Sequence, residues 1–317
     1  MFDALLSTLR VIALPTKTNF RGISVREVAL FQGEQGWGEF SPFLEYGDSE
    51  SSKWLASAVA AATEERPHLF RSAIPVNGTI PATNDKALIE KLVESYPGVT
   101  TYKVKVGENL PEDLARLAFL RSINPGFALR IDVNGSWSVE EALINLTEIY
   151  NQCGAIQYVE QPVGTIEEMR ELKSKLSVPV PIAADEVIRK AQDPLSINLA
   201  EAADFVMLKV QPLGGIKRSI EIAKHHQLPV VVSSALESAV GIHYGLQLAA
   251  SLPALTFDCG LATGSLLARD VAEIPIVDGL IHIDNLDINL DGLDVDANRY
   301  QWWKNRAMRC AEILELS

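Results

Sequence analysis

Residues 101–107 read TYKVKVG, and the reading of this stretch decides the fold. Lys103 and Lys105 flank one valine inside a β-rich run. On a strand, residues two apart face the same side, so both ammonium groups aim one way while Val104 and Val106 aim the other. A solvated edge strand gives the same alternation. The remainder of the chain decides between the two.

From about residue 74 onward a short β-rich run, a polar turn and a helical run recur. FALRIDV precedes SVEEALINLTEIY, where Ser138 and Glu141 have the spacing of a capping box; Thr165 and Glu168 repeat it after AIQYVEQ. VPIAADE comes next, then DFVMLKV before GGIKRSIEIAKHH, then LPVVVSS before ESAVGIHYGLQLAASL. Strands are predicted near 74–80, 101–106, 128–132, 156–160, 180–184, 204–208, 229–232 and 255–258. Eight βα units predict a (β/α)8 barrel over a doubly wound sheet, and no G-x-G-x-x-G follows the first strand. Residues 1–75 differ: they predict a meander with turns at Gly33 and Gly36, then a helix over SSKWLASAVAAATEE, with Asp48 and Glu50 in a loop before it. The expected division is an α+β piece over 1–75, joined by 281–317, and a barrel over 76–280.

In such a barrel the chemistry sits at the carboxyl ends of the strands. Those positions carry Lys103 and Lys105, Asp132 and Asn134, Glu160, Asp185 and Glu186, Lys209, then Ser233 and Ser234. From Lys105 to Ser233 successive members stand 24 to 28 residues apart, about one βα unit. Each therefore lands at the same height on the next strand, so a solvated edge is the weaker reading of TYKVKVG. Three converging carboxylates repel one another, and a hard divalent cation, Mg²⁺ or Mn²⁺, removes the problem. None of the five histidines falls at metal-ligand spacing with these acids. Lys105 and Lys209 flank the three acidic strands. A lysine beside another cation has a lowered pKa and can take the α-proton of a bound carboxylate substrate. Asn134 and Glu186 serve equally well as partners of these groups or as plain helix caps, and Ser233 and Ser234 also suit a helix start.

The bulk composition narrows the partners. The chain has 317 residues, 47% hydrophobic content and a formal net charge of −13, which disfavours nucleic acid and anionic membrane. Cys153, Cys259 and Cys310 form no CxxC pair, which predicts a reducing, cytoplasmic setting. The opening MFDALLSTLRVIALP lacks the pattern of a signal peptide, and no run of about 20 apolar residues predicts a membrane span. Oligomeric state is left open.

TYKVKVG, LRIDVNGSW, YVEQP, IAADE, VMLKVQPLGG and SSALESAVG, in this order, resemble the muconate-lactonizing branch of the enolase superfamily. RGISVREV and GWGEFSPFLEY add a likeness to its short-capped dehydratases of menaquinone biosynthesis. The resemblance implies a modified barrel under an α+β cap built from both chain ends. It implies Mg²⁺ on Asp132, Glu160 and Asp185, Lys105 as base and then acid in a syn elimination of water, Lys103 lowering its pKa, and Lys209 on the opposite face. It also implies that Ser233, Ser234 and Gly260 hold the substrate's distal arm, with Arg130 at a further basic position; Asn134 joins this set as a candidate. The metal segment reads DVN where DAN is commoner, and DINLDGLDVDANRYQWW matches nothing in the family pattern. Racemisation of N-succinylamino acids or epimerisation of dipeptides needs the same two lysines. An epimerase also wants an acid near the last strand, where only Asp258 stands. A Schiff-base aldolase needs no acid triad, and a non-catalytic scaffold needs no lysines.

Overall fold

The structure, a computed structural model, describes residues 2–20 and 22–316. Arg21, which opens the RGISVREV motif, lies outside the described residues. A short helix α1 (Phe2–Ser7) leads into an antiparallel meander of β1 (Arg10–Phe20), β2 (Ile23–Gly33) and β3 (Gly36–Phe40). The helix α2 (Asp48–Thr63) lies against it. This helix starts three residues before the predicted run, so Asp48 and Glu50 sit in its first turn and not in a loop; there acidic side chains suit the helix dipole. α2 approaches the sheet so closely that a Cβ at Gly38 would stand 2.0 Å from the Ala58 carbonyl oxygen. Period-2 alternation gives the meander two apolar faces. Val11, Ala29, Phe31 and Phe40 pack with α2, while Ile12, Leu14, Val28 and Leu30 join the barrel's core.

β4 (Ala73–Pro75) and β5 (Gly78–Ile80) follow, then α3 (Lys86–Glu94). The expected single strand over 74–80 is thus two elements in different sheets. β4 pairs antiparallel with β13 (Leu280–His282), which also pairs with β12 (Ile276–Val277), whereas β5 begins the parallel sheet. That sheet continues through β6 (Thr101–Lys105), α4 (Leu110–Ile123), β7 (Ala128–Asp132), α5 (Val139–Cys153), β8 (Val159–Glu160), α6 (Ile166–Lys175), β9 (Ile182–Ala184), α7 (Glu186–Arg189), β10 (Phe205–Lys209), α8 (Ile216–His226), β11 (Val230–Ser233) and α9 (Ala239–Ser251). The seven strands run in the order β11-β10-β9-β8-β7-β6-β5. Both predicted capping boxes are formed, on α5 and on α6.

The predicted eighth strand at 255–258 does not form. Isolated parallel bridges Val76↔Cys259 and Ser233↔Gly260 stand in its place. The Gly260 amide donates to the Val232 carbonyl (2.8 Å) and the Cys259 amide to that of Pro75 (2.7 Å), joining β11 to the chain before β5. The barrel is thus modified at its seam, where two residues do a strand's work.

The final helix α10 (Ala297–Ile313) returns to the meander and α2. Trp303 is fully buried edge-on to Phe40, and its indole N–H donates to Glu27 (2.7 Å). The Arg306 guanidinium donates to the carbonyls of Phe43 (3.0 Å) and Tyr46 (2.6 Å), fixing the 43–46 loop. No helix among the described residues is long and apolar enough to cross a membrane.

Candidate active site

The strand register sets the rim. Lys105 pairs with Asp132, Asp132 with Glu160, and Lys209 with Ser233; Asp185 follows the last residue of β9. Inward-facing residues two positions earlier form a second layer about 7 Å deeper, comprising Lys103, Arg130, Tyr158, Ala183, Met207 and Val231. Lys103 climbs out of that layer because its flexible four-carbon stem carries the ammonium upward. Its Nζ lies 2.8 Å from Asp132 Oδ2 and 2.7 Å from Glu160 Oε2.

Lys105 Nζ donates to Asp132 Oδ2 (2.6 Å) and Asn134 Oδ1 (2.7 Å). Across the rim, Lys209 Nζ donates to Asp185 Oδ2 (2.5 Å) and stands 3.6 Å from Glu160 Oε1. Asn134, at φ 54, also donates through its amide to Glu186 Oε1 (3.1 Å), which Arg189 holds at 2.7 Å. The structure therefore favours the partner role for Asn134 and Glu186 over that of plain caps.

Burial and neighbouring charges both act on every group of the rim. Burial lowers the pKa of Lys105, and the neighbouring Lys103 lowers it further against the pull of Asp132. For Lys103 and Lys209 burial also acts downward, but the carboxylates around them win and raise both. Asp132 is held below its usual range despite burial, because three ammonium groups surround it. Burial and Asp132 push Glu160 up.

The three carboxylates stand on consecutive strands without gathering round one point. Among the described residues no group of three or more His, Cys, Asp or Glu side chains is arranged to hold a metal ion. The expected convergence is replaced by alternation: an ammonium stands between Asp132 and Glu160 and another between Glu160 and Asp185, since each carboxylate turns toward a cation and away from its like-charged neighbour. Both oxygens of Glu160 and Oδ1 of Asp185 are nonetheless buried without a hydrogen bond. Glu160 lies within ion-pair distance of Lys103, outside hydrogen-bond geometry. Orphaned carboxylate oxygens in an all-oxygen donor set fit a hard divalent cation, and thiolate or imidazole ligands are absent from the rim.

A narrow cleft opens over the rim. Lys103, Lys105, Asp132, Asn134, Lys209, Ser233, Ser234 and Gly260 line it. Glycine at 260 is required by close approach, as a Cβ there would stand 2.6 Å from Ser233 Oγ. Ser234 Oγ donates to the Gly260 carbonyl (2.5 Å), so both serines are tied to the seam. Arg130 is a correction. It does not reach the cleft but is wholly buried in the deeper layer, where it donates to Gln157 (2.7 Å), Asn77 (2.9 Å) and the Asp258 carbonyl (2.7 Å) and stacks over Tyr158. Its planar fork is captured below, whereas the lysine stem beside it is free to rise. Asp258 accepts from Thr101 Oγ1 (2.5 Å) and does not line the cleft.

Sequence reasoning missed the cleft's roof. Phe43, Tyr46 and Trp54 line it from the meander side. Trp54 is also fully buried, so it packs the meander's core and lines the cleft at once. Arg189 lines the cleft too, with Nε 3.4 Å from Asp185 Oδ2 and a guanidinium N–H 3.3 Å from Tyr46 Oη. Its position four residues after Asp185, one helical turn on, was a usable signal.

A two-part chain with paired lysines and acids on one barrel rim defines a class, and comparison with known proteins agrees. The family described as enolase C-terminal domain-like matches residues 86–286, and the one described as enolase N-terminal domain-like matches 11–62. The chain belongs to the enolase superfamily. Its relatives include o-succinylbenzoate synthase of Mycolicibacterium smegmatis, 44% identical over 98% of both chains. The synthase of Mycobacterium tuberculosis is 44% identical over 98% of this chain and 96% of that one. Among solved structures, a muconate lactonizing enzyme superposes with a TM-score of 0.71 at 20% identity, covering 93% of this chain and 97% of its own. The L-Ala-D/L-Glu epimerase from Bacillus subtilis gives 0.74 at 22%, covering 90% and 98%. At such identities these two speak for the fold alone.

Proposed function

We propose that this chain is a Mg²⁺-dependent o-succinylbenzoate synthase, dehydrating 2-succinyl-6-hydroxy-2,4-cyclohexadiene-1-carboxylate to 2-succinylbenzoate in menaquinone biosynthesis. The observation that carries the reading is Lys105 and Lys209 facing each other across Asp132, Glu160 and Asp185 on one rim. The likeness to synthases along nearly the whole chain supports the choice of reaction.

In this reading neutral Lys105 Nζ takes the proton from C1 of the substrate. The electron pair left behind forms the new ring double bond as the C6 hydroxyl departs on the same face. Lys105 returns its proton to that hydroxyl, so water leaves and the ring becomes aromatic. The ammonium groups of Lys103 and Lys209 lie beside the charge that builds on the substrate carboxylate. Mg²⁺ held by Asp132, Glu160 and Asp185 would supply Lewis-acid polarisation of that carboxylate. Ser233, Ser234 and Gly260 hold the succinyl arm at the seam, and Asn134 steadies Lys105. The substrate is a small carboxylate, and no macromolecular partner is needed.

The same lysines suit an N-succinylamino acid racemase or dipeptide epimerase. Burial and Lys103 lower the pKa of Lys105, whereas Asp185 and Glu160 raise that of Lys209 against its burial, which favours a lasting cation on that face over a second base. The test is loss of the cyclohexadiene's absorbance with Mg²⁺, with and without EDTA. EDTA-sensitive aromatisation with kcat/KM above ~10⁴ M⁻¹s⁻¹ is expected. No turnover, with α-proton exchange of N-succinylamino acids in D₂O, would replace this reading by the racemase.

A further inference from the structure

The wall of the cleft at Ser233–Leu236 has an unusual support. Leu236 lines the cleft and holds φ at 62, a left-handed conformation costly for a side chain with a Cβ. Such a backbone persists only where its surroundings over-determine it. The support is Arg26, the fourth residue of β2 in the meander, which is 3% exposed. Its Nε donates to the Leu236 carbonyl (3.0 Å) and a terminal N–H donates to that of Ser41, while the guanidinium stacks on Phe43 at 4.5 Å.

The next residues are pinned as firmly. Glu237 is buried and accepts from the Ala235 amide (2.5 Å), closing the loop on itself. Glu39 of β3 reaches across to the N-terminus of α9, accepting from Ser238 Oγ (2.5 Å), the Ser238 amide (3.3 Å) and the Gly241 amide (2.8 Å). Ser41 Oγ also donates to Glu39 (2.6 Å). Two buried charges of the meander thus grip the backbone at the strained residue and just beyond it.

A charge is a poor device for mere docking. An apolar side chain of similar volume at a buried site often gives equal or better stability. What an apolar side chain cannot do is fix a carbonyl's direction. We infer that Arg26 is a positioning residue: through the Leu236 carbonyl it sets the Ser233–Leu236 wall, so that seating of the meander on the barrel shapes the pocket for the substrate's distal arm. This rests on the proposed reaction for the identity of that arm, not for the wall itself. Arg26 touches none of the reacting groups, so its removal acts on substrate binding and leaves the proton transfers at Lys105 in place.

The experiment pairs Arg26→Met with Arg26→Lys and uses two readouts. Hydrogen exchange of the peptide spanning 233–241 needs no substrate. Exchange at least tenfold faster in Arg26→Met than in wild type, with the barrel strands unchanged, is expected. In steady-state assays of the cyclohexadiene carboxylate, KM rises at least tenfold while kcat stays within threefold, and Arg26→Lys recovers part of the loss. Unchanged exchange at 233–241, or a fall in kcat with KM unaltered, would overturn the inference. Should Arg26→Met fail to fold, Arg26→Lys decides alone: exchange faster by threefold or more supports the inference, and wild-type exchange defeats it. A wild-type protein inert toward this substrate would fail the proposed reaction, and the exchange readout would still judge Arg26.

Discussion

Replacing Glu237 by glutamine should uncouple part of this protein's stability from pH. Three carboxyls, Glu39, Glu237 and Asp270, meet near the start of α9 with Arg26 beside them. Burial, reinforced by Glu39 and opposed by the Ala235 amide and Arg26, pushes Glu237 from its usual 4.5 up to about 7. The folded protein therefore holds this proton more tightly than the unfolded chain. Its contribution is fully present below about pH 4.5 and is lost as pH rises through about 7. At about 1.4 kcal/mol per pH unit between the two values, the loss totals about 3 kcal/mol. Glu237→Gln keeps an acceptor for the Ala235 amide and cannot ionise. Its stability relative to wild type should rise by about 2 to 3 kcal/mol between pH 5 and 8.5. Asp270, pushed up to about 6 by burial, is common to both proteins and cancels in the difference. Urea unfolding of both proteins at the two pH values reads the effect. A difference between variant and wild type that does not change with pH would refute the reasoning, whatever its absolute size.

Lys105→Ala should lower turnover of the cyclohexadiene carboxylate by about 10³-fold with an unchanged circular dichroism spectrum; retained turnover would remove Lys105 from the base's role. Alanine at Asp132, Glu160 or Asp185 should each weaken Mg²⁺ binding, read by calorimetry, by about tenfold or more. Unchanged affinity in all three would dismiss the metal assignment. Arg130→Met should destabilise the fold by about 3 kcal/mol or more, because Asn77, Gln157 and the Asp258 carbonyl lose their buried donor. Mg²⁺ affinity should not move; a stable Arg130→Met that binds substrate poorly would return Arg130 to the cleft.

The rim was legible because two periods coincide in it. Alternation within TYKVKVG fixed which way the lysines face, and the repeat of 24 to 28 residues fixed the height of each acid on the next strand. At Arg130 the family resemblance misled. This arginine sits two residues before Asp132 and shares its inward direction, but direction says nothing of whether a long side chain climbs or descends. Lys103 and Arg130 are register partners in one layer and part company for that reason. The seam was illegible for another cause: Cys259 and Gly260 close the ring with isolated bridges, and two residues leave no run for a strand pattern to show. The aromatics of the roof look like any core residues in sequence, because Trp54 is one while also lining the cleft. Nothing in the neighbourhood of Arg26 predicted its carbonyl partner 210 positions away.

The position of α10 has a consequence for the order in which the molecule is assembled during synthesis. The meander is translated before the barrel, yet Phe40 is met edge-on by Trp303 and the 43–46 loop is fastened by Arg306, both translated after the barrel. The βα units between can pair with their neighbours as they emerge, since each strand bonds to the one made just before it. The newborn chain thus carries a nearly finished barrel beneath a meander that α2 already lies against, with Phe40 still lacking the Trp303 ring at its edge. Of the cleft's aromatic roof, Trp54 is therefore in place early, whereas Phe43 and Tyr46 are fastened only once α10 has left the ribosome.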